Sequence, residues 1–132
     1  MLMSVVAVCV GGSLGCLLRW VLSERLNALF PALPPGTLTA NLVGGYLVGV
    51  AIAWLALHPS LPPQWRLFII TGFLGGLTTF SSFSAEITGQ LLQGRLLAAG
   101  MAVAAHVVGS VAMTMLGIGT VAALRHWRAV GG

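Results

Sequence analysis

Lysine and aspartate are absent from this chain, and ionisable side chains of any kind are scarce. Only 6% of its 132 residues are charged, where a soluble domain carries about 25%. With 58% hydrophobic residues and a mean hydropathy of +1.01, the chain reads as an integral membrane protein. Its formal charge of +4 comes from six arginines set against Glu24 and Glu86. The arginines stand singly, which argues against a nucleic-acid patch. Catalytic groupings are missing as well. There is no acid–histidine–nucleophile set, no metal-ligand spacing of His or Cys, and no phosphate-cradling loop opening a helix. The expectation is that the protein is not an enzyme. The only cysteines, Cys9 and Cys16, share the first apolar segment. On one helix they lie about 10 Å apart, too far for a mutual disulfide, and they read as small buried hydrophobes. The N-terminus lacks a basic n-region and reads as a retained helix rather than a signal peptide.

Four apolar segments are present, over residues 4–22, 36–57, 65–92 and 96–124. A loop with Pro31, Pro34 and Pro35 follows the first, and the run His58-Pro59-Ser60-Leu61-Pro62-Pro63 ends the second. Each segment is long enough to cross a hydrocarbon layer of about 30 Å. Trp20, Trp54, Trp65 and Trp127 fall near segment ends, where aromatic belts sit. The predicted fold is one all-α domain, residues 1–132, of four transmembrane helices. Both termini then share a side with Arg66, Arg125 and Arg128, while Arg19, Arg25 and Arg95 take the other. Arginine asymmetry normally sets orientation, and here the sides are equal. This predicts dual topology, most simply as an antiparallel homodimer. The pairs Gly11/Gly15 and Gly45/Gly49 allow close helix approach, within one subunit or between two.

The third segment carries Gly72-Phe-Leu-Gly-Gly-Leu-Thr-Thr-Phe-Ser-Ser-Phe-Ser84. Glycines and hydroxyls this dense are tolerated at membrane depth only where protein or a polar cavity surrounds them, so the third helix is predicted to break mid-membrane. Phe80 and Phe83 share a helix face among Ser81, Ser84 and their hydroxyl neighbours. Ring edges are electropositive, and beside hydroxyl donors they suit a small anion. Asn41 adds an amide with two donors. His106, Ser110 and Thr114 recur at steps of four, a polar stripe on the fourth helix. Glu86 is the only acid inside a predicted span, and Arg19 is deep enough to snorkel. Both are placed at a vestibule.

Three stretches, Gly11-Gly-Ser-Leu-Gly-Cys-Leu-Leu-Arg19, Gly36-Thr-Leu-Thr-Ala-Asn41-Leu-Val-Gly44 and Gly72 to Phe83, resemble the signature motifs of the CrcB/Fluc fluoride channels. The resemblance covers all four segments. It implies an antiparallel dual-topology homodimer in the bacterial inner membrane, with two anion pores that let fluoride out. It also implies a central structural sodium ion held by the backbone carbonyls of Gly75 and Thr78 from both subunits. Asn41, Phe80, Phe83, Ser110 and Thr114 would line the pore, and Arg19 would sit at an entrance. Cys16, Tyr46 and Ser82 depart from the commonest residues at their positions. The physics agrees, because a selective site must replace the tight hydration shell of fluoride with closely spaced donors, and conduction needs weak multi-site binding. The alternative, a small multidrug-resistance-type proton-coupled transporter, needs a membrane-embedded acid in the first helix, which this sequence lacks.

Overall fold

Apolar runs of this length can satisfy their backbone away from water by becoming helical. The protein is represented by a computed structural model describing residues 1–29 and 35–131, and these contain helices and no strand. Helix α1 spans Leu2–Leu29 and α2 spans Gly36–Ala56. The third crossing is assembled in pieces: α3 (Pro63–Arg66), a π-helical segment (Leu67–Leu74), α4 (Gly75–Leu77) and α5 (Phe80–Leu92). Helix α6 covers Leu96–Val130. Leu2–Leu29, Gly36–Ala56, Pro63–Leu92 and Leu96–Val130 are each long and apolar enough to cross a membrane. The chain is therefore a multi-pass membrane protein. Pro31, Pro34 and Gly132 lie outside the described residues.

Two helices outrun their apolar segments. Helix α1 continues past Leu22 to Leu29, and α6 continues past Leu124 to Val130. Hydropathy stops at Ser23-Glu24-Arg25 and at Arg125, but Glu, Arg, Leu and Ala all favour helix, so the ladder persists beyond the apolar layer. Other ends are set by local chemistry. Pro63 opens α3 at its first position, where a missing N–H costs nothing. Helix α5 closes in a Schellman turn on Gly94, whose φ is +70°. There the Gly94 N–H reaches the Leu91 carbonyl at 3.0 Å and the Arg95 N–H reaches Gln90 at 2.9 Å. The turn folds α6 back along α5.

Glycine decides which crossings touch. A Cβ on Gly11 or Gly15 would collide with the Phe68 or Phe73 carbonyl, and one on Gly72 would meet the Val8 carbonyl at 2.9 Å. Along α1 and the third crossing the contacts advance together, so these two run parallel. Gly45 meets Ser110, Gly49 meets Thr114, and Gly117 meets Tyr46 and Val50, so α2 and α6 run parallel as well. Both glycine pairs singled out in the sequence are thus spent on packing within the chain and carry no argument for a second copy. The core between the two helix pairs holds Ala40, Ala51, Leu74 and Leu77. Cys9 and Cys16 depart from the sequence reading, because both are exposed on this chain.

The packing makes a paired prediction. Gly49→Ala places a methyl against the Thr114 carbonyl and should destabilise the fold by about 1–3 kcal/mol. Gly119, with nothing within 4 Å of its Cβ position, should accept alanine with no loss, since alanine is the better helix former. Thermal unfolding in detergent checks both, and equal melting temperatures for the two variants would contradict the packing account.

Candidate functional site

Helical geometry ends at Leu77 and resumes at Phe80. Between them Thr78 (φ −82°, ψ 155°) and Thr79 (φ −151°, ψ 118°) are extended. The preceding turns are already wide, with the Gly75 N–H reaching back to the Ile70 carbonyl, a π-type bond frequent at functional sites. Two extended residues inside a crossing leave backbone groups without helical partners, and the surrounding side chains show how these groups are satisfied.

Thr78 still bonds backward, with both its N–H (3.0 Å) and its hydroxyl (2.9 Å) on the Leu74 carbonyl. Thr79 turns to α2. Its N–H donates to Asn41 Oδ1 at 2.8 Å, and its carbonyl accepts from Asn41 Nδ2 at 3.0 Å. The side-chain amide thereby replaces a peptide partner on both sides of one residue. The Thr79 hydroxyl caps α5, accepting from the Ser82 N–H at 3.2 Å and donating to Ser82 Oγ at 3.1 Å. Ser81 Oγ lies 3.2 Å from the same hydroxyl. From the other flank Arg19 Nε donates to the Gly76 carbonyl at 3.0 Å.

These bonds redirect donors that a continuous helix would use. The Thr79 amide would serve the Gly75 carbonyl but goes to Asn41, and the Ser82 amide would serve Thr78 but goes to Thr79 Oγ1. The carbonyls of Gly75 and Thr78 thus lose their α-helical donors, which suits them to a hard cation that takes oxygen ligands. Gly75 is exposed on this chain.

His106 continues the network across α6. Asn41 Nδ2 lies 3.1 Å from His106 Nδ1. The Thr79 N–H can only donate, so the Asn41 atom facing it is oxygen and the nitrogen points to His106. His106 Nδ1 is then the acceptor, and the ring proton sits on Nε2. Both amide donors of Asn41 are occupied, so this side chain orients Thr79 and His106 rather than offering free N–H groups to an anion. Phe83 is buried against His106, with ring centroids 4.6 Å apart, and meets Phe80 edge-on at 5.4 Å.

The sequence-predicted residues separate into two groups. Asn41, Phe83 and His106 form one interior cluster. Thr114, on the α6 stripe, places its hydroxyl 3.0 Å from the carbonyls of both Gly45 and Ser110, back-bonding and facing α2. Ser110 is partly buried on the same face. Phe80, Ser81 and Ser84 instead lie on the outer surface, Phe80 being 78% exposed. Exposed aromatic and hydroxyl groups beside an exposed Gly75 make a partly polar stripe on a membrane-spanning surface.

A cavity of about 520 Å³ opens between α2, α5 and α6. Glu86, Gln90, Gln93, Arg95 and His106 supply its polar lining. Glu86 accepts from the buried Thr37 hydroxyl. Glu86 lines this cavity with Arg95, whereas Arg19, expected beside Glu86, lies at the helix interruption. Thr37, Gln90 and Arg95 were not marked as site residues in the sequence. Only Thr37 had a local signal, inside the stretch Gly36-Thr-Leu-Thr-Ala-Asn41.

Amides, hydroxyls and ring edges are thus gathered at the interrupted crossing. Comparison with known proteins identifies the family. Residues 6–118 match the family model described as "CrcB-like protein, Camphor Resistance (CrcB)". The chain is 59% identical over 125 residues to a protein of Tolumonas auensis named fluoride-specific ion channel FluC, covering 95% of this chain and 98% of the relative. A protein of the same name from Chromobacterium violaceum is 62% identical over 115 residues, 87% of this chain and 91% of its own. Another, from Pseudomonas syringae pv. maculicola, is 59% identical over 118 residues, 89% and 93% of the two chains. The chain belongs to the CrcB family, a family of ion channels and not of enzymes.

The Asn41 bridge generates a prediction. Asn41→Asp can still accept from the Thr79 N–H but can no longer donate to the Thr79 carbonyl or to His106 as a carboxylate. We expect a loss of about 2 kcal/mol of stability, read as a lowered melting temperature in detergent. An unchanged melting temperature would show that the bridge contributes nothing to the fold.

Proposed function

We propose that this protein is a fluoride-selective passive channel of the bacterial inner membrane, working as an antiparallel homodimer with two pores. The observation that carries the reading is the composition of the interrupted crossing, which combines hydroxyls, an amide network and the Phe80–Phe83 edge contact. Fluoride holds its hydration shell tightly, so a path must offer several small donors in succession. A lysine or arginine in the path would hold larger anions too, and too firmly for conduction. Ring edges and hydroxyls avoid that. The names of the relatives, each a fluoride-specific ion channel, support the choice of ion.

A second copy is supported by the residues left on the surface. Phe80, Ser81, Ser84 and Gly75 are exposed beside a carbonyl deprived of its helical donor. Lipid cannot satisfy such backbone, so protein must cover it. Equal arginine counts on the two sides allow either orientation, and an antiparallel pair uses both. Sodium at the centre, on the Gly75 and Thr78 carbonyls of both subunits, would supply positive potential near each pore. Each phenylalanine would present an edge to the anion, with Ser81, Ser84, Ser110 and Thr114 marking the track. Glu86, Arg95 and His106 would line the mouth. Fluoride enters a cell as the neutral acid and is trapped as the anion, and a negative-inside potential would drive it out through such a path.

The test is anion efflux from liposomes carrying the purified protein. Fluoride should leave rapidly while chloride stays, and retention of fluoride would end the reading. Phe80→Ile keeps apolar bulk and removes the ring edge, so it should abolish efflux without dissociating the dimer. Full activity in that variant would rule out ring-edge coordination.

A further inference from the structure

Arg19 places a guanidinium in a membrane-spanning helix and spends it on backbone. Its Nε donates to the Gly76 carbonyl at 3.0 Å, and its second nitrogen lies 3.8 Å from Cys16 Sγ. In a continuous helix the Gly76 carbonyl would accept from the amide of Phe80. Phe80 is instead the first residue of α5, beyond the extended Thr78 and Thr79. The arginine therefore occupies the place of the missing helical donor.

Two further features fit that role. A Cβ on Gly76 would press on the Gly12 carbonyl and on the Cys16 amide, 3.0 Å away. Glycine there lets α1 come close enough for a side chain one turn along it to reach the carbonyl. The guanidinium also sits at the C-terminal end of the helical stretch 63–77, where the aligned peptide dipoles favour a positive charge. With Gly76 tied to α1 and Thr79 tied to Asn41 of α2, the Gly75 and Thr78 carbonyls flanking these ties stand without their α-helical donors.

We propose that Arg19 is a positioning residue: by replacing the lost helical donor of Gly76, it fixes the direction of the neighbouring Gly75 and Thr78 carbonyls, and so the affinity of the cation site they form. This assigns Arg19 to the helix interruption rather than to attraction of anions at an entrance. It rests on the sodium reading above, and the experiment separates the two.

The full chain is assayed for fluoride efflux in liposomes, and for melting temperature in detergent, across a series of sodium concentrations with a large organic cation making up the balance. Arg19→Met should shift the sodium midpoint of both. Arg19→Met removes the donor and should raise the sodium concentration for half-maximal efflux roughly tenfold, with the wild-type rate restored at saturating sodium. Arg19→Lys keeps a charged donor and should stay near wild type. If Arg19→Met does not fold, Arg19→Gln keeps an N–H donor without the charge. A wild-type sodium response and rate in Arg19→Gln supports positioning. Lower efflux at every sodium concentration, with an unmoved midpoint in Arg19→Met or Arg19→Gln, assigns the residue to anion attraction and overturns the proposal. A wild type indifferent to sodium removes the cation site and the positioning role together. A sodium-dependent wild type with an unshifted midpoint in Arg19→Met removes the positioning role alone.

Discussion

Backbone hydrogen bonding at membrane depth is the constraint on which this structure turns. Water cannot rescue an unpaired amide there, so two extended residues inside a crossing must find partners from neighbouring helices. Asn41 supplies both partners for Thr79, the Thr79 hydroxyl supplies the first cap of α5, and Arg19 supplies the donor for Gly76. The interruption is thus held by three helices at once, and every polar group used for the purpose is an amide, a hydroxyl or a guanidinium. Their placement explains why the third crossing is surrounded so closely.

That closeness depends on glycine. Side chains reach backbone across helices only where the axes approach, and the approach is made at Gly11, Gly15, Gly72 and Gly76 on one pair of helices. On the other pair Gly45, Gly49 and Gly117 do the same work, bringing His106 and Thr114 against α2. The chain is in effect two parallel helix pairs. The polar network joins them at Asn41, Thr79 and His106, and Leu77 packs beneath it as the one large side chain buried completely among the described residues.

Much of this was legible in the sequence. Four apolar runs gave four membrane-spanning helices, and the density of glycine and hydroxyl marked the third as unusual. Helix α1 outruns its apolar segment because hydropathy stops at Ser23 while helix propensity continues through Glu24 and Arg25. The partners at the interruption were not legible. Asn41 meets Thr79 and His106, and Arg19 meets Gly76, across 38, 65 and 57 residues of chain. Periodicity reports which face a residue shares along its own helix and says nothing of what stands opposite. Asn41 read as a free pair of donors for that reason, when both are occupied. The glycine pairs read equally well as internal or external contacts, because the spacing that allows close approach is the same in each.

The Thr79 junction also has a bearing on time. To bend the third crossing at this point, the chain would have to give up the Asn41 bridge and the α5 cap together, since one residue holds them both. Hinge motions of whole helices belong to microseconds and longer, whereas exposed side chains such as Phe80 and Ser84 reorient in picoseconds to nanoseconds. The fast fluctuations available near the interruption are therefore rotations of rings and hydroxyls about a backbone that stays in place.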